Sequence, residues 1–362
     1  MNRTGSVILD LAPRPDNPRN SEGAFIGLRE GQLLFIYSRF NGSSSADNAP
    51  AGLAAIRSLD GGETWTSEQI ILTAEEDRAE NIMSVSLIRM NNDDIGLFYF
   101  IRRDFDDGKA YLRRSADEGQ TWSEPVCCVP AKGYYVTNND RVVRLTDGRL
   151  IVPAGYHRTV NRQKDSFASW DGRSTTIYFY SDDDGHTWHE SNLCSVNARC
   201  TRSGLQEPGV IELKNGSLYG WARTDLGVQY EMFSIDRGRS WSPPQPSRFT
   251  APCSPLSMKR DPLTGTLIAI WNPIPEYITR RRQAKIWNGG RTPLVCALSR
   301  DDGETWDEPI ILEDDPDSGY CYIAMHFLDD DLLLAYCAGG PADGGCLNRL
   351  RIRKMPNPAR QA

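Results

Sequence analysis

An all-β ring of six four-stranded blades, a β-propeller, is the fold this sequence predicts. Three observations predict it: one turn motif written five times, one hairpin pattern written six times, and a spacing between copies that fits one blade.

The turn occurs as RSLDGGETW (57–65), RSADEGQTW (114–122), YSDDDGHTW (180–188), FSIDRGRSW (233–241) and LSRDDGETW (298–306), all reducible to S-x-D-x-G-x-[TS]-W. Turn chemistry accounts for each fixed position. Ser and Asp side chains bond nearby backbone amides, Gly supplies a positive φ, and Trp packs flat on the next layer. The aspartates stand 57, 66, 53 and 65 residues apart, longer than most solenoid repeats and suited to a blade with generous loops.

Ahead of each turn lies an apolar run, a short polar turn and a second apolar run. The six copies are AFIGLREGQLLFIYSRF, SVSLIRMNNDDIGLFYFIRR, RVVRLTDGRLIVPAGYH, GVIELKNGSLYGWAR, PLSMKRDPLTGTLIAIWN and YIAMHFLDDDLLLAYC. Period-two alternation around Gly, Asn or Asp marks hairpins, the first and second strands of six blades. The five turns then join third to fourth strands. The sixth copy ends without one in LNRLRIRKM (347–355), so SVILDLA (6–12) is expected to supply its fourth strand and close the ring by pairing the chain ends. Closure removes sheet edges that invite aggregation.

No Pro/Ser linker or charge block divides the 362 residues, so one domain over 1–362 is expected. A net charge of −7 argues against a nucleic-acid or anionic-membrane partner. No apolar stretch reaches membrane-spanning length, and MNRTGSVILDL has no signal-peptide core, which predicts a cytoplasmic protein. The nine cysteines show no CxxC spacing and the four histidines are scattered, so buried thiols are expected, with no metal and no cofactor.

Antiparallel order puts the 1–2 and 3–4 turns of every blade on one face. Any pocket is therefore built on the other, from residues before first strands, after second strands or before third strands. That rule retains Arg19, Glu22, Asp47, Asn81, Arg102, Arg103, Asn138, Asn139, Asp140, Arg141, Glu207, Arg223, Arg291, Tyr320 and Tyr322.

The turn resembles the Asp box, or BNR repeat, of sialidases, and QEPGVIELKNGSLYGWAR and SGYCYIAMHFL resemble that superfamily's strands. The resemblance implies a tyrosine nucleophile at Tyr320, within the GYC that replaces the usual Gly-Tyr-Ser, assisted by Glu207. It implies Asp47 as acid/base and Arg223 and Arg291 as two of three arginines gripping a substrate carboxylate. The sequence departs from the family at the first arginine: PRNSEGAFI places Glu22 near that position and Arg19 three residues earlier. Either Arg19 reaches in or the triad is broken.

The constellation suits a 2-keto sugar acid, whose carboxylate sits on the anomeric carbon and repels an anionic nucleophile. A neutral phenol with a pKa of about 10 needs a neighbouring base, the work implied for Glu207. Asp47, to protonate the leaving oxygen, needs a raised pKa in a closed pocket. Tyr320 and Tyr322 lie two apart, on one side of a strand, so one can be nucleophile and the other substrate wall. The run TNNDR (137–141), with Asn139 and Asp140, either reads sugar hydroxyls or satisfies a turn, and the loop 273–290 with its three arginines either roofs the pocket or is solvated. A terminal sialic acid or related acidic sugar on a glycan is the first substrate expectation. The alternatives are a propeller glycosidase for another sugar, such as an exo-arabinanase-like enzyme, and a non-catalytic glycan binder.

Overall fold

A computed structural model describes residues 4–160, 169, 171–274 and 290–361, and these are almost wholly strand, turn and loop. Among them no helix is long and apolar enough to cross a membrane. Four sheets have four strands each and one has nine. The nine-stranded sheet consists of two antiparallel runs, which meet where Tyr134–Val136 lies between Leu150–His157 and a single parallel contact, Tyr134 to Gly108.

The hairpins fall where the apolar alternation puts them: Asn20–Gly27 with Leu33–Phe40, Asn81–Arg89 with Ile95–Asp104, Gln206–Glu212 with Leu218–Arg223, and Cys321–Phe327 with Asp331–Cys337. Ser6–Leu11 pairs antiparallel with Leu350–Pro356 and so completes the last sheet with the first strand of the chain.

Hydrophobic clusters form between consecutive sheets. Ile36, Leu53, Val85 and Tyr99 join the first unit to the second, and Phe35, Ile56, Leu333 and Ile352 join the first to the last. These strands are apolar on both faces because each is covered on both sides.

The five turns are built alike. In the second, Ser115 Oγ donates to Asp117 Oδ1 at 2.7 Å and accepts from Gly119 N at 2.7 Å, while Asp117 accepts from Thr121 N at 2.8 Å and Thr121 Oγ1 at 2.6 Å. Gly119 has φ +80°, and the residue before it, Glu118, is also left-handed at φ +59°. That second reversal turns the Glu118 carbonyl toward the preceding sheet, where it accepts from Arg57 Nη2 at 2.9 Å. The same bond recurs from Arg149 to the Arg237 carbonyl and from Lys354 to the Gly61 carbonyl. The turns therefore fasten one sheet to the next. A Cβ on Gly119 would lie 2.8 Å from Leu34, which is why glycine is required there.

Candidate active site

The opposite ends of the first strands carry a second repeated feature, one that no composition pattern marks. Near the start of five of them stands a non-glycine residue with positive φ: Glu22 (+51°), Ser84 (+60°), Asp140 (+54°), Glu207 (+46°) and Tyr322 (+60°). Around four of these the ladder slips, between Ser21 and Ala24, Met83 and Ser86, Gln206 and Gly209, and Cys321 and Ala324. These are β-bulges, which turn a side chain off the strand's normal alternation, and the left-handed conformation costs of order 1 to 3 kcal/mol at each such residue. Glu22, Ser84, Glu207 and Tyr322 all line one pocket, together with Asp47, Gln206 and Arg223.

The bulge decides between the two tyrosines. Tyr322 enters the pocket, and its hydroxyl donates to Glu207 Oε1 at 3.0 Å. Tyr320 does not: it lies in the hydrophobic cluster with Ile270, Leu294 and Tyr336, its ring 6.3 Å from that of Tyr336. The expectation that both sit on one side of a strand fails because the extra residue at Tyr322 reverses the alternation.

Arg223 binds both members of the pair. Its Nη1 donates to the Tyr322 oxygen at 3.3 Å and stands 2.9 Å from Glu207 Oε2, while Nε and Nη2 both donate to Gln206 Oε1. Arg291 lies over the Tyr322 ring, 5.4 Å from its centroid, and contacts Cys321 Sγ at 3.1 Å. Burial, and then the Glu207 charge, push the Tyr322 hydroxyl well above the ordinary tyrosine range, against the pull of the two arginines, so the resting phenol is neutral.

The carboxyls of the mouth differ sharply. Glu22 is buried, and burial raises its pKa to about 7, with Arg19 pulling the other way and Asp47 and Glu207 adding to the rise. Asp47 is 61% exposed at the rim. Desolvation against the mouth works to raise it, but the charge and hydrogen bond of Arg19 outweigh that and leave it below the usual range. The expectation of a raised Asp47 is thus corrected: the raised carboxyl of the mouth is Glu22. Arg19 is buried behind both, its guanidinium 2.5 Å from Asp47, 3.3 Å from Glu22 and stacked on Phe40 at 4.4 Å. It holds carboxylates of the protein itself rather than standing in the wall.

Two further expected site residues are placed elsewhere. Asp140 binds Lys259 Nζ at 2.7 Å and Met325 N at 2.9 Å and lines a separate cavity with Val143, Glu212 and Phe327. Asn139 donates to the carbonyls of Gly23 (2.8 Å) and Tyr322 (3.2 Å), tying three first strands together. The neighbouring Thr137 and Asn138 do line the pocket, and Thr137 Oγ1 and Asn138 Nδ2 are buried without a partner among the described residues. Of the basic loop, residues 275–289 lie outside the described residues.

Sequence reasoning missed Ser84, Gln206 and His157 in the pocket wall. The His157 imidazole is pushed down to about 4 by burial, so it is neutral. Among the described residues no group of three or more His, Cys, Asp or Glu is placed to hold a metal ion.

Residues 31–333 match the family described as a BNR repeat-like domain. The chain belongs to that family. A sialidase of Bacteroides fragilis is 22% identical over 334 residues, covering 82% of this chain and 56% of its own length. An anhydrosialidase of Macrobdella decora is 25% identical over 244 residues, covering 60% of this chain and 28% of its own. The BNR repeat-like chain thus spans about half or less of the curated relatives it matches. Its all-β fold is shared with a Dyadobacter fermentans protein of unknown function (TM-score 0.71, 16% identity, 97% and 99% coverage). It is shared too with the Hadza microbial sialidase Hz136 (0.71, 18%, 93% and 66%) and Streptococcus pneumoniae NanB sialidase (0.70, 13%, 99% and 71%). Sialidase-type glycoside hydrolases are its relatives.

Proposed function

We propose that residues 1–362 form one six-bladed closed propeller and that it is a retaining exo-glycosidase releasing a terminal sialic acid or related 2-keto sugar acid from glycans. The observation that carries this is the Tyr322 hydroxyl bonded to Glu207 at 3.0 Å with Arg223 touching both. The six antiparallel runs, the first-to-last cluster and the Ser6–Leu11 pairing support the closed ring.

In the reaction the Tyr322 oxygen bonds to the anomeric carbon as its proton passes to Glu207, and the bond from that carbon to the aglycone oxygen breaks. Asp47 protonates the departing oxygen and later takes a proton from the water that releases the sugar from Tyr322. Its pairing with Arg19 keeps it charged, so the pair has to loosen and Asp47 has to take up a proton before it can protonate the leaving oxygen. Arg223 and Arg291 offer planar guanidinium forks to the substrate carboxylate, a geometry lysine lacks. Thr137 and Asn138 are available to sugar hydroxyls.

A second reading is a propeller glycosidase for another sugar, favoured by Glu22 standing in a wall that Arg19 does not enter. Hydrolysis of 4-methylumbelliferyl glycosides of N-acetylneuraminic acid, Kdo and arabinofuranose separates the two. A 2,3-difluorosialic acid adduct found by mass spectrometry on the Tyr322 peptide supports the first. Turnover of the arabinofuranoside alone overturns it, and glycan binding without turnover of any glycoside leaves a non-catalytic binder.

A further inference from the structure

Three carboxyls line the pocket, and two of them have a cation of their own. Glu207 has Arg223 at 2.9 Å and Asp47 has Arg19 at 2.5 Å. Among the described residues Glu22 has only the far side of the same Arg19, at 3.3 Å, through Oε2, which also accepts from Ser21 Oγ at 3.2 Å. Its Oε1 makes no hydrogen bond among the described residues, although the side chain is 5% exposed and lines the pocket. The left-handed backbone at Glu22 aims that oxygen, and Ser38 Oγ clamps it by donating to the Glu22 carbonyl.

We infer that Glu22 is a proton-bearing specificity residue: as a neutral acid it donates a hydrogen bond to the anionic group of an acidic sugar, and as a carboxylate it expels that sugar. This rests on the reading of the pocket as a sugar-acid site. The groups that face Glu22 are Arg19 just before its strand, Asp47 on the following loop, Glu207 and Arg223 on the fourth unit, and Tyr322 on the sixth, with His157 across the pocket. Of these, Tyr322 and His157 do not change charge between mildly acidic and mildly alkaline pH, the phenol lying above that range and the imidazole, at about 4, below it. Glu22, at about 7, changes within it. A buried carboxylate beside a substrate carboxylate is a like-charge pair in low dielectric, so one shared proton is what lets both occupy the pocket. The consequence is a preference for acidic sugars that is strong in acid and fades in alkali, with neutral sugars indifferent.

Calorimetric binding of N-acetylneuraminic acid, Kdo and their methyl esters, from about pH 5.5 to about pH 8.5, tests this. The expected result is a Kd for the acids that rises about tenfold per pH unit above about pH 7, one proton being taken up on binding, with no such slope for the esters. Glu22→Gln should abolish the slope and bind the acids at least about tenfold more tightly than wild type at the alkaline end. Asp47→Asn, which removes a neighbouring charge and frees Arg19 for Glu22, should move the break to lower pH; this variant decides the matter if Glu22→Gln does not fold. An unchanged slope in Glu22→Gln, or an equal slope for the esters, overturns the inference and leaves the glycosidase reading standing. Failure of wild type to bind any acid or ester at any pH overturns both.

Discussion

The two ends of the sheets use the same element, a left-handed residue beside a carboxylate, to opposite effect. In the repeated turns the left-handed residues cap a closed set of hydrogen bonds. The aspartates of four of them are held at about 2 although they sit near solvent, chiefly by the threonine hydroxyl at Asp60, Asp117 and Asp301 and against desolvation at Asp183. At the pocket the left-handed residues open bulges, and the carboxyl they aim inward, Glu22, rises to about 7. Polar atoms there, such as Thr137 Oγ1 and Asn138 Nδ2, have no partner among the described residues. The difference teaches that hydrogen-bond satisfaction, rather than exposure, separates the structural end from the reactive one.

The comparison breaks first, and hardest, at the tyrosines. Tyr322→Phe should reduce kcat by at least about 100-fold while Tyr320→Phe stays within about twofold of wild type, because only the former removes the oxygen proposed to attack. Equal losses would mean that the bulge does not separate their roles. Next come the arginines. Arg223→Ala or Arg291→Ala should each cost about 100-fold in kcat/KM, with the lysine variants nearer to alanine than to wild type, since a point charge lacks the fork. Lysine variants as active as wild type would put only a diffuse charge at that corner. Asp117→Ala, at the other end, should lower unfolding free energy by about 1 to 2 kcal/mol in urea titrations and leave KM unchanged, through lost turn hydrogen bonds. A shifted KM would place that turn at the substrate.

The smallest effect is the most diagnostic of the contrast. The turn aspartates, lowered on folding, contribute stability that is present above their unfolded value near 4 and is lost as pH falls toward about 2. Glu22 is raised on folding, so its contribution is full below about 4.5 and declines as pH climbs to about 7. Thermal melts across pH should therefore show a shallow decline on the alkaline side of the optimum that Glu22→Gln removes and Asp117→Ala does not.

Much of this was legible from sequence because it repeats. Five turns and six hairpins announce the sheets, and the strand that completes the last sheet follows from the absence of a sixth turn. The pocket was half legible. Glu207, Arg223 and Asp47 sit where their place in the hairpins puts them. Tyr320, expected in the pocket, lies in the core and Asp140 lines another cavity, because a left-handed turn of the backbone leaves no trace in composition when its residue is Glu, Tyr or Asp instead of glycine. The ion pairing that lowers Asp47 was hidden for another reason: Arg19 and Asp47 are brought together by the fold and have no fixed spacing in the chain.

One pairing sets a timetable for the whole molecule. Arg351 and Asp10, on the strands that complete the last sheet, bond across 341 residues. During synthesis at about 5 to 20 residues per second, the first strand has to wait roughly 20 to 70 seconds for its partner. Through that interval a strand whose Ile8, Leu9 and Leu11 pack against the cluster between the first and last units lacks the last-unit half of that cluster, Leu333, Leu350 and Ile352. Contacts this distant in sequence make folding slow, and the waiting strand is the part of the nascent chain most in need of a chaperone's shelter.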